Sequence, residues 1–278
     1  MRHLPLLALG LCLLAACLSQ PAAHLSPAVA RLPQPADRLS EPADSLIAAG
    51  RADLRGGMDR GDLDLMMAAR AAFERAAADA ERQAWARYYA ALADFRIANH
   101  LLGREEGSKD RASEHLDSAV ESLKQVVRLD PESAEAWALL NSVYGRQISL
   151  SPMKGMLLGR RSQRALDKAR ELAPDNPRVV LTAALSDFNT PGMWGGDKER
   201  AMEGFRRAAA LFAVEEPADP LHPVWGHREV YAWIGLAHLD WDERDQAKAA
   251  FEKALEIDPD FGWVRYVLLP GVEQAAAE

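Results

Sequence analysis

Residues 228–261 read REVYAWIGLAHLDWDERDQAKAAFEKALEIDPDF, and this stretch decides the fold. Tyr231, Ile234, Gly235 and His238 recur at i, i+3, i+4 and i+7, which places them on one stripe of a helix. The polar run Asp242-Glu243-Arg244-Asp245 interrupts the stripe. A second stripe follows with Ala247, Phe251 and Ala254, and Pro259 stands just beyond Ile257-Asp258. Proline lacks the N–H that would continue a helix, so the unit closes there. Gly235 and Ala247 lack bulk, which lets two antiparallel helices approach closely. Tyr231 and Phe251 fill the volume between successive helices.

The same unit can be traced backwards along the chain. Second-helix anchor pairs recur as Phe73/Ala76, Leu123/Val126, Leu166/Ala169, Phe205/Ala208 and Phe251/Ala254. First-helix anchors are Leu46, Trp85, Trp137, Val180 and Tyr231, and Trp137, Leu140 and Tyr144 repeat the stripe. Pro131 and Pro174 repeat the closing proline. The pattern of aromatic, Leu-like residue and Gly, then Ala, aromatic, Ala and Pro resembles the tetratricopeptide repeat (TPR) family. The resemblance implies an all-α, right-handed solenoid of about five helix pairs over residues 42–268, with extended loops inside the repeats. Residues 260–268 read as a short C-terminal capping helix, stopped by Leu268-Leu269-Pro270 and followed by a tail at 269–278.

The spacing within units is uneven. First-helix and second-helix anchors are 20 residues apart in the fifth unit (231 to 251), 25 in the fourth (180 to 205) and 29 in the third (137 to 166). They are 38 apart in the second (85 to 123) and 27 in the first (46 to 73). Extra segments are therefore expected inside four units, with one more between units four and five. Turns inside the units of a solenoid emerge on one edge, where they often build a binding surface. Residues 149–161 put Met153, Met156, Leu157 and Leu158 in a stretch expected to be irregular. Residues 188–197 hold Met193 and Trp194 before a Gly195-Gly196-Asp197 turn that looks like a helix N-cap, with Glu199 in the first turn. Residues 213–227 contain Pro217, Pro220, Pro223, Trp225 and His227. An apolar loop residue is either tucked onto the core or offered to a partner. The partner-binding candidates on this edge are Met153, Met156, Met193 and Trp194.

The family's concave groove is lined by first helices. The resemblance places Ala86, Ala90 and Asp94 there, with Ala138, Ser142 and Arg146, Leu181, Leu185 and Asn189, and Ala232, Leu236 and Asp240. Of these, Asp94, Arg146, Asn189 and Asp240 are the polar partner-binding candidates. Such a groove suits an amphipathic helix or an extended peptide. The alternative is that these positions meet only their neighbours and water.

The first segment reads as an address. Met1-Arg2-His3 precedes a 13-residue apolar run, Leu4 to Ala16, too short to cross a bilayer comfortably but suited to a secretory signal. Its end, Leu14-Ala15-Ala16-Cys17, resembles the bacterial lipobox, which implies removal of residues 1–16 and lipidation of Cys17. Plain signal cleavage near Ala28-Val29-Ala30 and an uncleaved anchor are the alternatives. Leu18, not Asp, follows the cysteine, so the resemblance implies an outer-membrane lipoprotein facing the periplasm; a soluble secreted or periplasmic protein is the other outcome. Residues 17–41, with Pro21, Pro27, Pro33 and Pro35 and no helical period, read as a tether.

Composition narrows the function classes. A formal net charge of -8 argues against phosphate-backbone binding, so no nucleic-acid partner is expected. Both cysteines, Cys12 and Cys17, lie in the first segment, which leaves the body without a thiol nucleophile or Cys-based zinc site. No metal-binding, phosphate-loop or nucleophile motif is present, so neither catalytic residues nor cofactors are expected. His222, His227 and His238 with Asp240 and Asp242 are the only local collection of metal-capable groups, and packing is the plainer account of His238. Arg160, Arg161, Arg164 and Lys168 share a helical face, either solvated or presented to an anionic partner. The resemblance thus implies a non-catalytic envelope scaffold whose partner is another envelope protein or peptide, touching the membrane only through its lipid. The Gly-Gly-Asp turn before a late helix is also similar to TPR lipoproteins associated with TRAP transporters. That likeness implies the alternative of a transporter component binding a small apolar or anionic solute.

Overall fold

A computed structural model of the chain describes residues 35–103, 108–217 and 219–275. The expectations for the signal, Cys17 and the tether up to residue 34 lie outside the described residues. Among the described residues ten helices form five antiparallel pairs: α1 (Pro35–Arg60) with α2 (Leu63–Ala76), α3 (Gln83–Leu102) with α4 (Lys109–Leu129), and α5 (Ala134–Leu150) with α6 (Gly155–Leu172). The last two pairs are α7 (Pro177–Asn189) with α8 (Lys198–Phe212) and α9 (His227–Asp240) with α10 (Arg244–Ile257). Each second helix also packs on the following first helix, which is the stacking of an all-α solenoid. No strand occurs among the described residues, and no helix among them is long and apolar enough to cross a membrane.

The anchors do what their spacing implies. Phe73, Leu123, Leu166, Phe205 and Phe251 are all buried, as are Ala76, Val126, Ala169, Ala208 and Ala254. Pro131, Pro174 and Pro259 each stand two residues beyond a helix end. A Cβ at Gly235 would lie 2.3 Å from Phe251 Cε1, so the fifth pair crosses where only glycine fits. Gly235→Leu is therefore expected to cost about 1–3 kcal/mol in overpacking, read as a lower midpoint in urea.

Four boundaries differ from the sequence reading. Helix α1 begins at Pro35, inside the stretch assigned to the tether, because proline is well tolerated in a first helical turn. The extra residues of the first three units mostly lengthen helices instead of building loops: α1 has 26 residues, α3 has 20 and α4 has 21. Residues 149–161 are likewise not an irregular stretch. Only Ser151 and a 3-10 turn (Pro152–Lys154) separate α5 from α6, since Leu, Met and Arg propagate a helix readily. At the C-terminus the helix does not stop at Leu268-Leu269-Pro270. A π-turn (Val264–Leu268) leads directly into α11 (Leu269–Ala275). The Leu269 N–H bonds to the Val264 carbonyl, and this wider turn accommodates the missing N–H of Pro270. Val272, read as tail, is buried in the last apolar cluster.

The two ends of the array meet. Arg228 on α9 reaches Asp59 on α1 at 2.7 Å and Asp258 at 2.5 Å, while its guanidinium lies 4.3 Å from the Phe261 ring centroid. Arg55 on α1 also bonds Asp258. Burial drives the Asp59 carboxyl up despite Arg228. At Asp258 burial pushes the same way, but the charge of Arg228 and the bond from Arg55 win and hold its carboxyl below the usual range.

Candidate functional site

The segment between α8 and α9 lies against the first helices of the array. Tyr89 on α3 donates its hydroxyl to the Leu221 carbonyl at 2.5 Å, and Arg51 on α1 donates to the Pro220 carbonyl at 2.7 Å. Trp225 donates its indole N–H to the Tyr88 hydroxyl at 2.9 Å. The guanidinium groups of Arg96 and Arg178 stand 5.5 and 5.8 Å from the Trp225 ring. Leu221 is itself a member of the apolar core formed by the first three units. This strap is sequence-distant from α1 and α3, so no local pattern announces it.

A charged network ties the strap down. Arg178, fully buried at the start of α7, bonds Glu135 at 3.2 Å and Glu215 at 2.5 and 2.9 Å. Glu135 also accepts from Asn176 at 3.0 Å and lies 3.5 Å from His222. Burial would raise the Glu135 carboxyl, but its contacts with His222, Arg178 and Asn176 outweigh burial and hold it below the usual carboxylate range. The contact with Glu135 in turn raises His222 above an ordinary imidazole.

Burial corrects part of the groove read from the family's positions. Ala86, Ala90, Ala138, Leu181 and Ala232 are buried, so they line no open trough. Asp94 is fully buried and accepts from Arg70 at 2.5 Å and Ser118 at 2.7 Å, with His115 at 2.6 Å. Its carboxylate ties α2, α3 and α4 together instead of facing a partner. Arg146 is half-buried, and burial lowers its pKa. The metal-capable groups are each engaged apart: His238 with Glu243, His222 with Glu135, and His227 stacked on Phe212. Among the described residues no group of three His, Cys, Asp or Glu could hold a metal.

The edge carries the opposite chemistry. Met153 and Met156 are each 93% exposed, Met193 85%, Trp194 75% and Leu157 63%. Leu158, one position on, is buried, so the structure divides this group between core and surface. The loop between α7 and α8 is built to hold its tip outward. A 3-10 turn (Gly192–Trp194) ends at Gly195, whose φ of +94° favours glycine. A Cβ at Gly196 would meet the Thr190 carbonyl oxygen at 1.7 Å, so the loop closes on itself there. Asp197 then caps α8 by accepting from the Arg200 N–H at 2.9 Å, as its turn sequence implies. Arg200 bonds Asp187 at 2.7 and 2.9 Å and the Gly195 carbonyl at 2.8 Å, which braces the loop from below.

Behind this tip lies a hollow of about 440 Å³ lined by Phe188, Asn189, Pro191, Gly196, Asp197 and Lys198. Asn189 and Asp240 are both exposed, and Asp240 pairs with Lys198 at the hollow's rim. The structure thus gathers Asn189, Asp240, Met193 and Trp194 in one neighbourhood, while Asp94 belongs to the interior. The hollow was not legible in the sequence, although the two glycines signalled a tight loop.

Residues 229–261 match the family model of the tetratricopeptide repeat. Among solved structures the chain is similar to the HusA haemophore from Porphyromonas gingivalis, at 23% identity over 73% of this chain and 94% of that one, with a TM-score of 0.57. It is also similar to MamA from Desulfovibrio magneticus RS-1, at 17% identity over 79% and 96% of the two chains, with a TM-score of 0.36. No curated protein matches it in sequence. These likenesses concern the fold. The chain is an all-α helical-repeat protein that carries a tetratricopeptide repeat in its fifth helix pair.

Proposed function

We propose that this chain is a non-catalytic interaction scaffold of the bacterial cell envelope, lipidated at Cys17, that grips a protein or peptide partner at the α7–α8 loop. The observation that carries the reading is Trp194, 75% exposed on a braced loop beside a hollow. Trp and Met are favoured at interfaces because they supply large apolar area with adaptable contact. A rigid loop also loses little freedom when it binds. The burial of Ala86, Ala90, Asp94, Ala138 and Leu181 favours this edge over the groove.

The test is Trp194→Ala. The melting temperature should stay almost unchanged, because so exposed a side chain contributes little packing, while capture of a partner from solubilised native envelope should fall. A large loss of stability with undiminished capture would end the proposal.

The solute-binding alternative draws on a second hollow of about 1020 Å³ at the seam, lined by Arg51, Arg55, Arg60, Asp59, Asp258 and Tyr266. Arg51 and Arg55 are already engaged by the Pro220 carbonyl and Asp258, so the loop edge is the better-supported site.

A further inference from the structure

The first turns of α6 carry a chemistry unlike the rest of this acidic chain. Lys154, Arg160, Arg161 and Arg164 are exposed, and no Asp or Glu lies between Leu150 and Leu166. None of the four is in an ion pair with another described residue. Leu158, Ala165, Leu166 and Ala169 form the buried face of α6. At 100° per residue, Met156, Leu157, Arg160 and Arg164 fall on the outer side, and the exposed Arg161 lies on its flank. The preceding turn buries none of its three residues, so Met153 protrudes with them.

This arrangement works against the helix itself. A helix N-terminus favours negative charge. Helix α8 follows that rule with Asp197 and Glu199, whereas α6, like α3 with Arg82 at its N-cap, has no acid in its first turn and no side-chain cap.

We propose that this face docks on an anionic phospholipid bilayer. Met153, Met156 and Leu157 enter the boundary between headgroups and acyl chains, and the four cations pair with lipid phosphates. Charge complementarity selects this occupant. The net charge of -8 makes an anionic surface repel the chain as a whole, so attraction at one basic face orients it. A bilayer also needs no complementary shape, which suits apolar tips on a protrusion. The inference rests on the envelope reading, in which an acylated Cys17 already holds the chain at a membrane. It adds a direct membrane contact to the lipid anchor and leaves the Trp194 loop for the protein partner.

The test uses the processed chain from position 17 with Cys17→Ser, so that no acyl group contributes. It is floated with phosphatidylcholine vesicles and with phosphatidylcholine vesicles containing phosphatidylglycerol. Co-flotation is expected only with the latter and should weaken as salt rises. Arg160→Glu with Arg161→Glu should lower partitioning at least about tenfold. Met153→Ser with Met156→Ser and Leu157→Ser should also lower it, with both variants keeping the parent melting temperature. Absence of flotation with anionic vesicles, or equal flotation of the charge-reversed variant, would overturn the proposal. So would loss of a captured protein partner from detergent-solubilised envelope in these variants, since that would assign the face to a protein. The Trp194→Ala capture assay contains no bilayer, so a failure there is read separately.

Discussion

Arg178→Leu is expected to destabilise the chain by about 3–5 kcal/mol, because it removes one partner from a buried charge network. The side chain of Arg178 has no exposed surface and holds Glu135, 7% exposed, and Glu215, 18% exposed. Its guanidinium also stands 5.4 Å from the Phe212 ring and 5.8 Å from that of Trp225. Without it, Glu135 keeps Asn176 and the longer contact to His222, while its Oε2 already lacks a hydrogen-bond partner. Leucine restores apolar volume but no charge, so the cost is dominated by the stranded carboxylate. Urea denaturation measures the loss. Adding Glu135→Gln should recover part of it, because the orphaned charge goes. A loss under about 1 kcal/mol would show that the network contributes little beyond a surface pair.

Trp225→Ala should cost about 3 kcal/mol, the low end for an aromatic truncation because Trp225 is only half-buried. The indole packs against both major apolar clusters, donates to the fully buried Tyr88 and carries the faces of Arg96 and Arg178. Removing it withdraws one of the strap's contacts with α3 and leaves the Tyr89–Leu221 bond. The expected result is a lower urea midpoint together with increased binding of a hydrophobic dye, as the concave side opens. An unchanged midpoint would mean that the strap only rests on the groove. The contrast with Trp194→Ala is the informative part: two tryptophans in connecting segments, one structural and one presented to solvent.

That contrast also marks how far the sequence alone reaches. Phe251, Ala254, Gly235 and Pro259 were legible because they act through local geometry at fixed spacing, and the earlier pairs repeat it. Helix lengths in the first three units were less legible. Extra residues with good helix propensity can lengthen a helix or build a loop, and anchor spacing does not separate the two. The strap was invisible for a different reason. Its partners Arg51 and Tyr89 lie 169 and 132 residues away from the carbonyls they bind, and no periodicity records such contacts. Asp94 was misplaced because the position inherited from the family says nothing of Arg70 and Ser118, which reach it from neighbouring helices. Leu158 and Met156 show the remaining ambiguity: two positions apart on α6, one is buried and the other exposed, and only the helix phase decides.

The choice between edge and groove is tested most directly by photo-crosslinking in the native envelope. One chain carries a photoreactive residue in place of Met193, and another carries it in place of Ser142, a groove position that is half-buried. A discrete adduct from position 193 and none from position 142 is the expected result. An adduct from 142 alone would show that a partner enters the concave side and displaces the strap, which would contradict the edge as the binding surface.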